Sequence, residues 1–315
     1  MVYEEFQAAV TSALKKELGQ DYQMAIQKVP KNNGAILDGL CINKKGETIA
    51  PTIYLNSYYE QYKEGWSVEE LTKEILAIYQ SHSRPLSVDF SQLNDFSTLK
   101  NNVVYKLIHT HANQELLKSI PSIPYLDLSI VFYLFLEKNE TGQMTALIHN
   151  RHLTMWNTTL EELSELAFKN TPLLFPADLK TMMQIIQDII CQKGERESTA
   201  PVIEELFGSQ PPAPLYVLTN TAGINGACTI LYPGILKNFS ATLNQDLVII
   251  PSSIHEVLLV PYDSTVSLDD LSNMVNQVNH AEVPMEERLS NHVYFYSRQT
   301  DQVLILQDSV SPHLS

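Results

Sequence analysis

Residues Leu247 to Pro261 read LVIIPSSIHEVLLVP, two apolar runs joined by a short polar connector. Short runs rich in Val, Ile and Leu, broken by turn residues, are the pattern of buried β-strands. A chain holding such a pair must build at least one sheet whose strands lie in the core and turn sharply between them. That corner carries Ser252, Ser253, His255 and Glu256, the most chemically suggestive residues of the sequence.

Similar patterns recur along the chain. Tyr3, Phe6, Val10, Leu14 and Leu18 fall at helical spacing, and Gly19 supplies a stop. Strand-like runs at Tyr22–Val29, Ala35–Ile42 and Ile49–Leu55 follow, separated by Asn- and Gly-containing turns. Ser67 and Glu70 form a capping box for a helix whose stripe is Val68, Leu71, Ile75 and Tyr79. Val103–His109 reads as a strand, Tyr125–Glu137 and Met144–His149 as a hairpin. Helices are expected after Thr159 and over Leu179–Ile190. Past residue 214 the pattern predicts strands at Leu215–Leu218 and Ala227–Leu231, and a helix at 233–243. A further helix with Leu268, Leu271, Val275 and Val278 inward follows, then a hairpin of Val293–Tyr296 and Val303–Leu306. Tight hairpins rather than βαβ alternation imply an α+β fold, with antiparallel sheets, helices packed on one side and two or more subdomains. The expected division is an N-terminal region 1–192, with a possible subdivision near 100–120, a Pro-containing linker 193–214 in which Val202–Phe207 forms a short helix, and a C-terminal domain 215–315.

The chain carries 21 Lys and Arg against 36 Asp and Glu, a formal charge of −15. Residues 201–315 hold only Lys237, Arg288 and Arg298 against twelve acids. Tracking a phosphate backbone requires clustered cations, so neither nucleic acid nor an anionic membrane is an expected partner. Cys41, Cys191 and Cys228 lie far apart and form no CxxC pair, the usage of a reducing compartment. The acidic N-terminus lacks a signal-peptide pattern, and no apolar run approaches the roughly 20 residues of a membrane span. A cytoplasmic protein is expected.

Several segments together, Pro51–Leu55, Asp127–Phe132, His152–Trp156, Thr159–Glu162, Leu231–Gly234 and Ile250–Glu256, resemble one bacterial family across nearly the whole chain. That family carries a domain-of-unknown-function label and occurs in gut anaerobes. A more distant likeness to a second uncharacterised bacterial family covers the C-terminal half. The resemblance implies a bacterial cytosolic protein and brings no catalytic or binding residues with it.

Three constellations invite chemistry. Ser252, Ser253 and His255, with Glu256, supply the residue types of a hydrolase triad. Working triads, however, assemble from distant segments, neighbours on a strand point to opposite faces, and no GxSxG elbow exists. The alternative is a bend whose serines satisfy backbone groups. His109 and His111 would share a strand face if the strand from Val103 continued, and His149 or His152 could complete a metal site. Hydrogen-bonded or surface histidines are the alternative, with Arg151 opposing any cation. Finally, Tyr58, Tyr62 and Trp66 share a helical face, with Tyr54 and Tyr59 near another, in a composition suited to recognition surfaces or to covering a sheet. No cofactor is expected: the chain has eleven glycines and lacks GxxxxGK, GxGxxG and HExxH. The preferred reading is a non-enzymatic protein-interaction or regulatory module whose partner is another protein. The alternative is a hydrolase or metal-dependent enzyme using the histidines or the Ser252–Glu256 corner.

Overall fold

The computed structural model describes residues 1–45, 52–82, 95–139, 142–192, 215–251, 253–262, 268–281 and 283–306. The chain divides into two compact units, Met1–Ser91 with Leu136–Thr145, and Gln92–Phe135 with Ala146–Ser315.

In the first unit, α1 (Tyr3–Leu18) buries Phe6, Val10 and Leu14, one residue per turn on a single face. It stops at Gly19, where φ is +83°, a backbone state that glycine adopts freely. Strand β1 (Tyr22–Pro30) pairs antiparallel with β2 (Ile36–Lys44) over nine residues, from Tyr22↔Lys44 to Pro30↔Ile36. The short β3 (Thr52–Tyr54) pairs with Gly39–Cys41 of β2. At Gly39 an added Cβ would lie 2.4 Å from Thr52 Cγ2, so the three strands meet there only because that position has no side chain. Helix α2 (Leu55–Lys63) takes up the end of the expected third strand. Helix α3 (Val68–His82) starts at the expected capping box, Glu70 N–H to Ser67 Oγ at 3.2 Å and Ser67 N–H to Glu70 Oε2 at 2.9 Å. Leu71, Ile75 and Tyr79 then join Phe6, Val10, Leu14, Leu40 and Ile42 in one core. Burial of these side chains is the main stabilising term.

The second unit opens with α4 (Phe96–Leu99) and β4 (Val103–His109), then α5 (Gln114–Leu117), β5 (Ser122–Tyr125) and β6 (Leu128–Asn139); the end of β6 and most of β7 (Gly142–Leu147) count with the first unit. Strand β6 pairs with β4, β5 and β7. Helices α6 (Asn150–Trp156) and α7 (Leu160–Leu174) follow, the latter capped by Thr159 Oγ1 accepting from Glu162 N–H. Next come β8 (Ala177–Thr181), α8 (Met182–Gln192), β9 (Tyr216–Asn220), α9 (Ile235–Leu243), β10 (Leu247–Ile250), β11 (Val257–Pro261), α10 (Leu268–Ala281), β12 (Tyr294–Ser297) and β13 (Gln302–Ile305). Six of these strands form an antiparallel sheet in the order β13-β12-β10-β11-β9-β8. Leu271 and Val275 of α10 pack on Val248 and Ile250, while Phe239 of α9 meets Tyr216, which the register puts on the opposite face. With a helix on each side, every residue of β10 is buried, as its unbroken apolar run predicts.

The fold is α+β with antiparallel sheets. Three local expectations are corrected. The helix expected over Leu179–Ile190 is split: residues up to Thr181 belong to β8, and Thr181 N–H donates to Gln184 Oε1 to start α8. Ala227–Leu231 is a 3₁₀ turn, not a strand. Gly226 presses so close to Thr219 and the His255 carbonyl that a Cβ would fall 2.4 Å from that oxygen, and Ala227 N–H is taken by Ile254 O instead of a ladder partner. Nor does the fold divide at the expected 192–215 boundary, because β8 before it pairs with β9 behind it, from Ala177↔Asn220 to Thr181↔Tyr216. The linker, with Val202–Phe207, lies outside the described residues.

Candidate functional site

At the 253–256 corner, Ser253 Oγ donates to Glu256 Oε1 at 2.8 Å and accepts the His255 N–H at 3.0 Å. The His255 ring is used elsewhere: Nδ1 accepts Asn225 N–H at 3.2 Å, and Nε2 lies 3.6 Å from Glu287 Oε1. The His255 carbonyl accepts the Thr219 hydroxyl at 2.7 Å. Serine and histidine therefore act on separate partners, and the serine proton goes directly to a carboxylate. The corner closes the bend between β10 and β11; the order serine–histidine–acid of a triad is not present. Ser252 lies outside the described residues.

The histidines do not converge either. Strand β4 ends at His109, and a 3₁₀ turn begins at His111, so the two rings do not share a strand face. His109 Nδ1 accepts Ala112 N–H at 3.2 Å, closing this turn. His149 and His152 sit at the start of α6, where His152 Nδ1 accepts the His149 N–H at 3.1 Å and the His152 ring lies against Trp156. Burial and the nearby Arg151 charge lower the basicity of His152. Among the described residues no group of three His, Cys, Asp or Glu side chains is placed to hold a metal ion.

A cluster that sequence reasoning missed lies around Asp127. The two-residue turn between β5 and β6 places Leu126 at φ +55° and turns the Asp127 carboxylate toward the segment entering β12. Asp127 Oδ2 accepts from Ser290 Oγ at 2.6 Å and His292 Nδ1 at 2.9 Å, and Oδ1 accepts from Tyr294 Oη at 2.5 Å. His109 Nε2 stands 3.8 Å away. Burial raises the carboxyl pKa, but the three donors together outweigh it and leave Asp127 below the usual carboxylate range. Tyr294 moves far above the usual phenol range, first by burial and then by the adjacent carboxylate. Burial also lowers His109, against the pull of Asp127. The sequence did hold a signal: Ser290, His292 and Tyr294 alternate at the period that places side chains on one side of an extended chain.

The tyrosine surface divides. Tyr58 is buried in the first core at 7% exposure, Tyr62 packs with Phe6 at 5.5 Å between ring centroids, and Trp66 lies beyond the end of α2 at 48% exposure. The expected common face is thus mostly core, since the i,i+4 spacing of Tyr58 and Tyr62 points both inward at the sheet and α1.

The more open feature of the first unit is the outer edge of β1. In the sheet order β1-β2-β3, among the described residues, it has a strand on one side only. Lys45 N–H donates to Asp21 O and Lys31 N–H to Ala35 O, which fixes the parity of the ladder: odd-numbered residues of β1 bond to β2. The backbone groups of Tyr22, Met24, Ile26 and Lys28 therefore face outward. Edge strands are commonly protected by a free lysine, but Lys28 Nζ is held by the buried Asp38 carboxylate at 2.8 Å on the neighbouring strand.

No helix among the described residues is long and apolar enough to cross a membrane. No curated protein and no solved structure matches the chain. Residues 3–298 match the family described as "Family of unknown function (DUF5688)", with no activity attached, and over that near full length the chain belongs to this family.

Proposed function

We propose that the protein is a non-enzymatic interaction module that receives an extended segment of another protein along β1. The observation that supports this reading is a nine-residue edge strand whose outward N–H and C=O groups alternate from Tyr22 to Lys28 and whose one lysine is neutralised within its own sheet. Strand addition uses such a ladder for affinity and alternate side chains for specificity. Tyr22 and Met24 already lean on the core, so the strand is rigid before a partner arrives, which lowers the ordering cost of binding. Pro30 has no N–H and ends the available ladder.

The test uses the parity of the strand. Ile26→Pro removes one outward N–H and leaves the β1–β2 ladder whole; Ile26→Thr keeps that N–H. Immobilised wild type and the threonine variant should capture the same partner from a native lysate, and the proline variant should not, with all three folded by circular dichroism. Equal capture by the proline variant would sink the proposal. Self-association that the proline variant abolishes, read by size-exclusion chromatography with light scattering, would identify the added strand as a second copy instead.

A further inference from the structure

Of the three basic residues in the acidic last third of the chain, Arg288 serves the backbone, because its guanidinium donates to the carbonyls of Val283 and His280, at the end of α10. The other two face one place. A cleft of 330 Å³ is lined by Tyr125, Tyr232, Lys237, Tyr296 and Asp301, among others, and a second of 470 Å³ by Lys237, Ser240, Asp246, Tyr296 and Arg298. Lys237 and Tyr296 belong to both, so the two clefts share a wall. Together they have the volume of a small-molecule site.

The two cations are not equally occupied. Lys237 Nζ lies 3.3 Å from Asp301 Oδ2, whose other oxygen accepts the Tyr296 hydroxyl at 2.6 Å. The Arg298 guanidinium donates to Asn244 Oδ1, a neutral acceptor, at 2.9 Å, and the nearby Asp246 carboxylate takes the Arg298 backbone N–H instead. Among the described residues Arg298 forms no ion pair. A guanidinium offers five N–H donors in a planar fork that fits a carboxylate or phosphate with two parallel bonds. Tyr296 is anchored by β12 and its Asp301 bond, and Tyr232 by donating its hydroxyl to the Phe175 carbonyl at 2.9 Å. One wall is thus aromatic; the other carries Lys237, paired with Asp301, and Arg298, whose guanidinium is not paired with the Asp246 carboxylate beside it.

We propose that this double cleft binds a small organic anion, whose carboxylate or phosphate is taken by Arg298 with Lys237 alongside and whose body lies against Tyr296 and Tyr232. The site lies in the second unit and does not depend on strand addition at β1.

The experiment is a titration of the full chain, by thermal shift and calorimetry, with inorganic phosphate and with succinate, against sodium chloride at matched ionic strength. At least one of the two should bind saturably where chloride does not. A response to phosphate alone assigns a phosphorylated ligand, and a response to succinate alone a carboxylate. Arg298→Gln should weaken the response at least tenfold and Lys237→Gln about threefold, with unliganded melting midpoints near the wild type, since both side chains are on the surface. No saturable response to either anion, or a response that Arg298→Gln leaves unchanged, overturns the proposal.

Discussion

At the 253–256 corner, a serine, a histidine and a glutamate close in sequence divide their bonds between nearby carboxylates and the main-chain groups around them. Around Asp127 the same residue types come from segments at least 163 residues apart and bond to each other through side chains. The first arrangement shapes a bend and distributes its polar groups among neighbours. The second gathers three donors on one carboxylate and ties the β5–β6 turn to the start of β12. Proximity in sequence thus gave local satisfaction, and a conspicuous motif was the weaker anchor. Asp127 takes two buried hydroxyls and an imidazole, each bond to the charged acceptor worth roughly 1.5–3 kcal/mol, whereas the corner holds one such bond, Ser253 to Glu256, among neutral bonds of about 1.

The widest separation between the two regions should come from Asp127→Ala, which strands the hydroxyls of Ser290 and Tyr294. It should cost about 3 kcal/mol in urea unfolding. A loss below about 1 kcal/mol would make the two regions equivalent. Tyr294→Phe removes the shortest of the three bonds and should cost about 2 kcal/mol by the same measurement. Ser253→Ala removes the corner's single side-chain bond to a carboxylate and should cost about 1.5 kcal/mol; a loss larger than that of Tyr294→Phe would reverse the ranking.

The pH dependence sharpens the contrast further. Asp127 has a depressed pKa in the folded state, so its contribution is present above about pH 4 and is lost as pH falls through the folded value. His109, also depressed, favours the neutral ring in the folded state. It therefore subtracts stability as pH falls below about 6.5, in the same direction. Asp127→Asn should flatten the acid limb of the stability curve, and His109→Gln should remove the shallower slope between about pH 6.5 and 5. Ser253→Ala should leave both slopes intact, which guanidinium unfolding across a pH series would check.

Much of the fold was legible because local pattern and tertiary role agree. Phe6, Val10 and Leu14 share a helical face, the 67–70 capping box starts α3, and the runs at 247–250 and 257–261 are buried strands. The failures occur where a distant partner decides. Leu179 and its neighbours read as helix until β9, some forty residues on, supplies a ladder at Leu179↔Leu218. Ala227–Leu231 has strand composition, but Gly226 wedges the segment against β9 and denies it an edge. Of the candidate residues proposed from short spacing, Ser253 and His109 close turns, His152 bonds at the start of α6 and Tyr58 is core, while Trp66 is exposed. The Asp127 cluster stayed hidden because alternation at 290–294 marks a face without saying what meets it.

Leu126 carries a consequence for the order of folding. A leucine held at positive φ costs about 1–2 kcal/mol relative to the right-handed region, so the β5–β6 hairpin gains little from its own turn. The groups that hold the turn, Ser290, His292 and Tyr294, arrive from the far end of the chain, and contacts of such separation form slowly. This hairpin should therefore close late, after β12 has docked on β10. Leu126→Gly should relax the turn and let the hairpin close early, speeding refolding severalfold in a stopped-flow measurement. An unchanged refolding rate would mean that the turn forms without waiting for its anchor.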